Sequence, residues 1–273
     1  MASIPPLNSL TEIQLSCNWN SICDRTDIFI KKECLTPWKE TVTDYMRDHY
    51  SPNYSKNLLQ SLLETNTRFG LSLDELISRI VPSRPEIQKG DLAEAVSCLS
   101  FEKLFGLFVP YHKWANKSHS EMPEHGIDVF AFEFRDVPLG DTMYVTSVKW
   151  RKDTKDLLNE ITRTDKGIIS AFKVLNDLKL CDELNLLLKR IENDLGIIQY
   201  YERILDFLQR FMQYPSKNIY NVTFFLVDSQ VDIDKCVMAL YPATQLDRRF
   251  KVYNHLVENL EDVTEDIFRR IKH

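Results

Sequence analysis

The order of hydrophobic patterns along the chain predicts an α/β fold, a central sheet covered by helices on both faces. Two apolar-rich runs of strand length stand at 127–134 and 143–150. Three patterns dense in Leu and Ile at three- and four-residue spacing follow, near 153–179, 182–194 and 197–212. Strand character then returns with IYNVTFFLV at 219–227. Strands, then helices, then strands again call for a sheet with apolar cover on each side. The 273 residues, 44% of them hydrophobic and 27% charged, suffice for one large core or two smaller ones.

The leading segment reads as a small helical or α+β domain over residues 1–80. It holds a strand at 27–31 (DIFIK) and helical patterns at 37–49, 56–66 and 72–80, the last with Ser72 placed to cap SLDELISRI. VPSRPE at 81–86 is a break, because two prolines in four residues disfavour helix. A second domain is expected over 81–273. It opens with a helix over roughly 87–107, where Leu92, Val96, Leu99 and Leu104 fall close to one face. Beyond the hairpin and the Leu-rich helices, VMALY at 237–241 and RFKVYNHL at 249–256 read as strands, and an amphipathic helix closes the chain near 259–271.

Composition removes several functional classes. The formal net charge of −6 argues against a stand-alone nucleic-acid binder, which is usually basic over its binding face. With seven glycines and neither a GxxxxGK[ST] nor a GxGxxG run, no nucleotide site is expected. Six cysteines without a CxxC pair signal neither a zinc ribbon nor a disulfide framework. The start, MASIPPLNSLTEIQLS, lacks the basic and apolar regions of a signal peptide, and no apolar run approaches membrane-spanning length. A cytoplasmic protein without membrane association is expected.

The informative stretch is the hairpin HGIDVFAFEFRDVPLGDTMYVTSVKW at 125–150. Side chains alternate along a strand, so Ser147 and Lys149 share one face while Thr146, Val148 and Trp150 share the other. A connection symmetric about the middle of 135–142 sets Asp128 directly across from Lys149. The preceding helix adds Glu94, in GDLAEAV, with Asp91 three residues earlier on about the same face. A helix carboxylate, an Asp at a strand start and a Lys on the next strand are the parts of a magnesium-dependent phosphodiesterase. Hard cations take oxygen ligands, and a lysine beside them orients or deprotonates the attacking water.

That order of groups resembles the PD-(D/E)xK nuclease superfamily. GDLAEAV, HGID and VTSVKW, followed by a long helical region and a strand-rich end, are similar more narrowly to the HamA family of nuclease subunits of the Hachiman anti-phage defence system. The resemblance implies a restriction-endonuclease-like core and a DNA-degrading subunit restrained by a partner helicase, HamB. By position it makes Glu94 the helix acid, Asp128 the metal-binding Asp and Lys149 the motif lysine, with Mg²⁺ or Mn²⁺ as cofactor. DNA recognition is then left largely to the helicase.

Ser147 departs from this pattern, which calls for an acid two residues before the lysine. A serine hydroxyl is a weak, neutral magnesium ligand. Either the acid comes from the following helix, with Glu160 in DLLNEIT the first choice and Asp153 and Asp156 behind it, or the chain binds without cutting. Lys149, Arg151, Lys152 and Lys155 make KWRKDTK locally basic, which suits a phosphate backbone and equally suits a solvated turn. DRRFK at 247–251 reads as surface. Glu121, Glu124 and His125 belong at the rim or in a solvated loop, and His112, His119 and His125 lack the spacing of a helical zinc pair. Trp114 and Trp150 read as packing residues.

Overall fold

β-Branched and aromatic residues dominate the strands, and apolar side chains on both faces mark the central ones as covered twice. The computed structural model describes residues 6–19, 23–50, 81–115, 126–163, 168, 177–192, 198–213, 218–240 and 249–272. Within them the elements run α1 (Leu7–Leu10), β1 (Thr11–Trp19), β2 (Cys23–Ile30), α2 (Leu35–Tyr50), α3 (Pro85–Lys103), β3 (Val129–Glu133) and β4 (Thr142–Arg151). There follow α4 (Thr154–Thr162), α5 (Asp177–Ile191), α6 (Ile198–Gln213), β5 (Ile219–Asp228), α7 (Ile233–Ala239), β6 (Arg249–Val257) and α8 (Leu260–Lys272).

The six strands form one mixed sheet in the order β1-β2-β6-β5-β4-β3. Its centre, β2, β6, β5 and β4, is parallel, and β1 and β3 add antiparallel edges. One face is covered by α2, α3 and α8, whose Trp38, Val42, Leu92, Val96, Ile267 and Phe268 pack on Val148, Trp150, Phe224, Leu226 and Tyr253. The other face is covered in two patches. Over β3 and the first half of β4, α5 and α6 bring Leu184, Leu187, Ile204 and Phe207 against Phe130, Phe132, Met143 and Val145. Over β5 and β6, α4 and α7 bring Leu157, Ile161 and Val237 against Phe225, Val227, Phe250 and Val252. Ser147 and Lys149 lie on this second face, where both are half-buried, beyond the residues of β4 that enter the apolar patch.

The restriction-endonuclease-like α/β layout expected from the sequence is therefore present. The residues before the VPSRPE break are part of it, since β2 pairs in parallel with β6 over Cys23–Phe29 and Phe250–Leu256, and α2 packs under the same sheet. A buried polar bond reinforces that join, the amide of Asn254 donating to Asp27 at 2.6 Å. The helical patterns at 56–66 and 72–80 lie outside the described residues, as do Glu121, Glu124, His125 and the first two residues of DRRFK, whose remaining three open β6 with Phe250 buried.

Two expectations are corrected. VMALY does not continue a strand: residues 233–239 form α7, because Asp232 caps its start by accepting from the Lys235 N–H at 3.0 Å and Ile233, Cys236 and Val237 bury one side. The hairpin register also differs. Val129 pairs with Thr146 and Glu133 with Thr142, so continuation of the ladder sets Asp128 level with Ser147, not Lys149. The connection holds a 3₁₀ turn at Pro138–Gly140 and is centred one residue earlier than a symmetric loop over 135–142.

Candidate active site

The site is built at the end of the sheet where β3 begins and β4 finishes. Helix α3 starts with Pro85 at its first position and Glu86 in its first turn, both favoured there, and Glu94 follows in its middle. Asp91, read as Glu94's companion, is 2% exposed and accepts the Tyr50 hydroxyl at 3.0 Å. It ties α2 to α3 and is structural. Glu94, half-buried, faces the start of β3.

Asp128 stands one residue before β3 and fixes the corner. Its Oδ2 accepts the backbone N–H of Val148 at 2.8 Å, so the carboxylate extends the β3–β4 ladder by one bond beyond the last paired residue. Its Oδ1 is 3.1 Å from the ammonium of Lys113. Burial opposes ionisation of this carboxyl, but Lys113, Lys149 and the Val148 N–H outweigh it and hold the pKa below the usual carboxylate value.

Lys113 is a residue the sequence reading missed. It lies in YHKWA between His112 and Trp114, each 1% exposed, and its Nζ also lies 3.7 Å from Glu94 Oε1. His112 is anchored through Nε2, which is 2.9 Å from the Tyr45 hydroxyl and 3.1 Å from Glu102 Oε1. Nothing in composition or periodicity marks a lone lysine in a loop as buried, and the only hint is the pair of large aromatic neighbours.

Lys149 points to the opposite side of β4 from Val148 and meets α4. Its Nζ is 3.7 Å from Glu160 Oε1, while Arg151 donates to Glu160 Oε2 at 2.9 Å. Lys149 and Asp128 line the same cleft even though they are not opposed in register, and the Lys149 charge helps to hold the Asp128 carboxyl ionised. Glu160, the candidate substitute acid, thus sits against the motif lysine. Asp153 caps α4 by accepting the Asp156 N–H at 2.8 Å.

Glu94, Asp128, Lys149, Arg151 and Glu160 line an open cleft of about 660 Å³ that also takes in Lys89, Lys152, Asp156 and Arg163. Lys152 and Lys89 both bond Glu261, at 2.7 and 2.8 Å, in the first turn of α8. The ammonium of Lys89 lies 4.5 Å over the Trp150 ring, whose Nε1 donates to Thr264 at 3.1 Å. Lys155 is exposed on α4 and is not among the residues lining the cleft. Trp114 and Trp150 are packing residues, as expected.

The donor set suits one hard cation of modest coordination by protein. Mg²⁺ keeps several waters and is commonly held by one or two carboxylates together with substrate phosphates. Glu94 and Asp128 direct one oxygen each at the same cationic atom, Lys113 Nζ. Among the described residues no three or more His, Cys, Asp or Glu side chains gather to hold a metal.

A mixed sheet flanked by helices, with acids and a lysine gathered at one end, places the molecule in the class of restriction-endonuclease-like α/β proteins. The chain belongs to the HamA family, whose model matches residues 10–271 of its 273. Membership makes it a subunit of the Hachiman anti-phage defence system. No curated protein gives a match. Among the described residues, no helix is long and apolar enough to cross a membrane.

Proposed function

We propose that the chain is a divalent-metal-dependent DNA endonuclease restrained by a partner helicase. The observation that carries this reading is the aim of the Glu94 and Asp128 carboxylates at one cationic point, beside a strand lysine and at the wall of a cleft. Glu94 and Asp128 would hold Mg²⁺ or Mn²⁺. When bound, that cation supplies neutralising charge at the scissile phosphate and acidifies water there.

The chain's own groups supply the rest. Lys149 Nζ donates to a phosphate oxygen or orients the attacking water, and Glu160 holds that ammonium at 3.7 Å. The Val148 N–H locks one Asp128 oxygen and leaves the other, which faces Lys113 Nζ, as the one that would hold the cation. Arg151, Lys152 and Lys89 line the path for neighbouring backbone phosphates, contacts that position DNA without reading sequence. An acidic chain of this kind relies on the helicase for most of its hold on DNA.

The test is nicking of supercoiled plasmid by purified protein, alone and with its helicase, in Mg²⁺ or Mn²⁺. Lys149→Ala and Asp128→Asn are expected to abolish cleavage, and Glu160→Ala to lower it by about two orders of magnitude, the order typical of a positioned acid–base group. Equal cleavage by Lys149→Ala would overturn the reading.

Ser147 favours a second reading, a nuclease-fold subunit that binds and regulates the helicase without cutting. Glu160 is engaged by Lys149 and Arg151, so among the described residues a third acid does not join Glu94 and Asp128. This reading expects no cleavage with any metal but a stable complex with the helicase on a sizing column. Failure to form that complex counts against it.

A further inference from the structure

Lys113 is placed unlike a surface lysine. Its side chain is 5% exposed, and its ammonium lies 3.1 Å from Asp128 Oδ1 and 3.7 Å from Glu94 Oε1. A buried ammonium is costly unless carboxylates surround it, and these two do so. They are also the two groups assigned above to the divalent cation. Mg²⁺ demands its oxygens at about 2.0–2.1 Å, so metal and ammonium cannot occupy the point between them together. Without some cation there, two half-buried carboxylates would lose the ammonium that both of them face.

The surroundings let the side chain, and not the backbone, do the moving. On one side His112 is bonded to Tyr45 and Glu102, and on the other Trp114 packs edge-on to Tyr50 with ring centroids 5.1 Å apart. A small cavity next to the site is lined by Lys113, Asp128, Tyr111 and Glu183 of α5. The carboxylate of Glu183 is fixed near the backbone before Asp128, since a Cβ on Gly126 would meet its Oε2 at 2.7 Å. The cavity holds only about 20 Å³ and Arg190 lines it too, so a displaced ammonium moves outward toward the cleft and solvent, not deeper into this space.

We propose that Lys113 is a built-in counter-cation, which fills the divalent-metal position in the resting protein and must be exchanged for the metal before the site can bind it. The proposal rests on the reading of Glu94 and Asp128 as metal ligands. It makes metal loading the regulated step. Anything that draws Lys113 aside primes the site, and anything that holds it in place keeps the site off.

The experiment is calorimetric titration of the metal-free, full-length protein with Mn²⁺ in the absence of DNA. Lys113→Met, which keeps the length of the side chain but not its charge, is expected to tighten Mn²⁺ binding by about tenfold or more, because the competing occupant is gone. Lys113→Arg is expected to stay near the wild type or weaker, and Asp128→Asn to lose binding. Equal affinities for wild type and Lys113→Met, with binding still lost in Asp128→Asn, would overturn the exchange while the metal reading stood. Absence of Mn²⁺ binding in every variant, or binding indifferent to Asp128→Asn, would overturn both. Should Lys113→Met not fold, the wild type decides: acetylation of Lys113, followed by mass spectrometry, is expected to be slow without metal and clearly faster in saturating Mn²⁺. Unchanged labelling overturns the proposal.

Discussion

Glu261 shows how a single side chain can tune the cleft. Hydrogen bonds from Lys152 and Lys89 draw its carboxyl down to about 2, so at neutral pH it is an anion that satisfies two of the cleft's cations. A backbone phosphate entering the cleft competes with it for the same lysines. Glu261→Gln is therefore expected to tighten binding of duplex DNA about threefold at low salt and to steepen the slope of log affinity against log salt by about 1. Fluorescence anisotropy between about 50 and 200 mM salt measures both. An unchanged slope would mean that these lysines never meet phosphate. How much of the site could be read from the sequence also turns on single residues. Glu94, Asp128 and Lys149 stand out in the sequence because carboxylates and a lysine interrupt apolar patterns, and Glu160 because a migrated acid was one of the two explanations left open for Ser147. Lys113 and Glu261 carry no such pattern. Each reaches the site through tertiary packing, Lys113 from a loop and Glu261 from the last helix, more than a hundred residues beyond β4.

Helix α4 is the element on which the Lys149 side of the site depends. It is nine residues long and buries only Leu157 and Ile161, so its first turn leans on the Asp153 cap. Short helices gain little from propensity alone, and loss of such a cap costs roughly 1 kcal/mol. Asp153→Ala is expected to lower stability by about that amount in urea unfolding. It should also weaken cleavage by loosening Glu160 against Lys149, and activity retained at full level would detach α4 from the chemistry. The hairpin teaches the converse lesson. Alternation along β4 was legible, and it correctly separated Ser147 and Lys149 from Val148 and Trp150. Register was not, because it is set by the turn, and a 3₁₀ turn at Pro138–Gly140 moved the centre by one residue. In α7 a β-prone run, VMA, was overruled by the cap at Asp232.

At the scale of the whole molecule, the sheet binds the two ends of the chain together, with β2 laid against β6 and Trp38 of α2 against His255. No local pattern announces that pairing, since strands far apart in sequence meet through the core. Deletion of residues 1–50 would strip β6 of its neighbour, so the truncated chain is expected to be insoluble, not a free-standing nuclease domain, as a sedimentation assay of the expressed fragment would show. The same join makes stability depend on pH. His255 is fully buried between Trp38 and Phe224, and neither ring nitrogen has a hydrogen-bond partner among the described residues. Burial pushes its pKa down to about 3, and His49, half-buried with its ring 4.2 Å from that of His112, is lowered to about 4 by desolvation and that neighbour. Both are neutral in the fold, whereas in the unfolded chain they take up protons near pH 6.5. Between their folded values and 6.5 the unfolded state binds more protons, so stability is complete above about pH 6.5 and falls as the pH drops toward 4. For His255 alone this amounts to roughly 2 kcal/mol at pH 5. His255→Phe keeps a ring against Trp38 and Phe224 and removes the titration. It is expected to lose about 2 kcal/mol less than the wild type between pH 7.5 and 5.0 in urea unfolding. Parallel losses in the two proteins would show that acid acts elsewhere in the sheet.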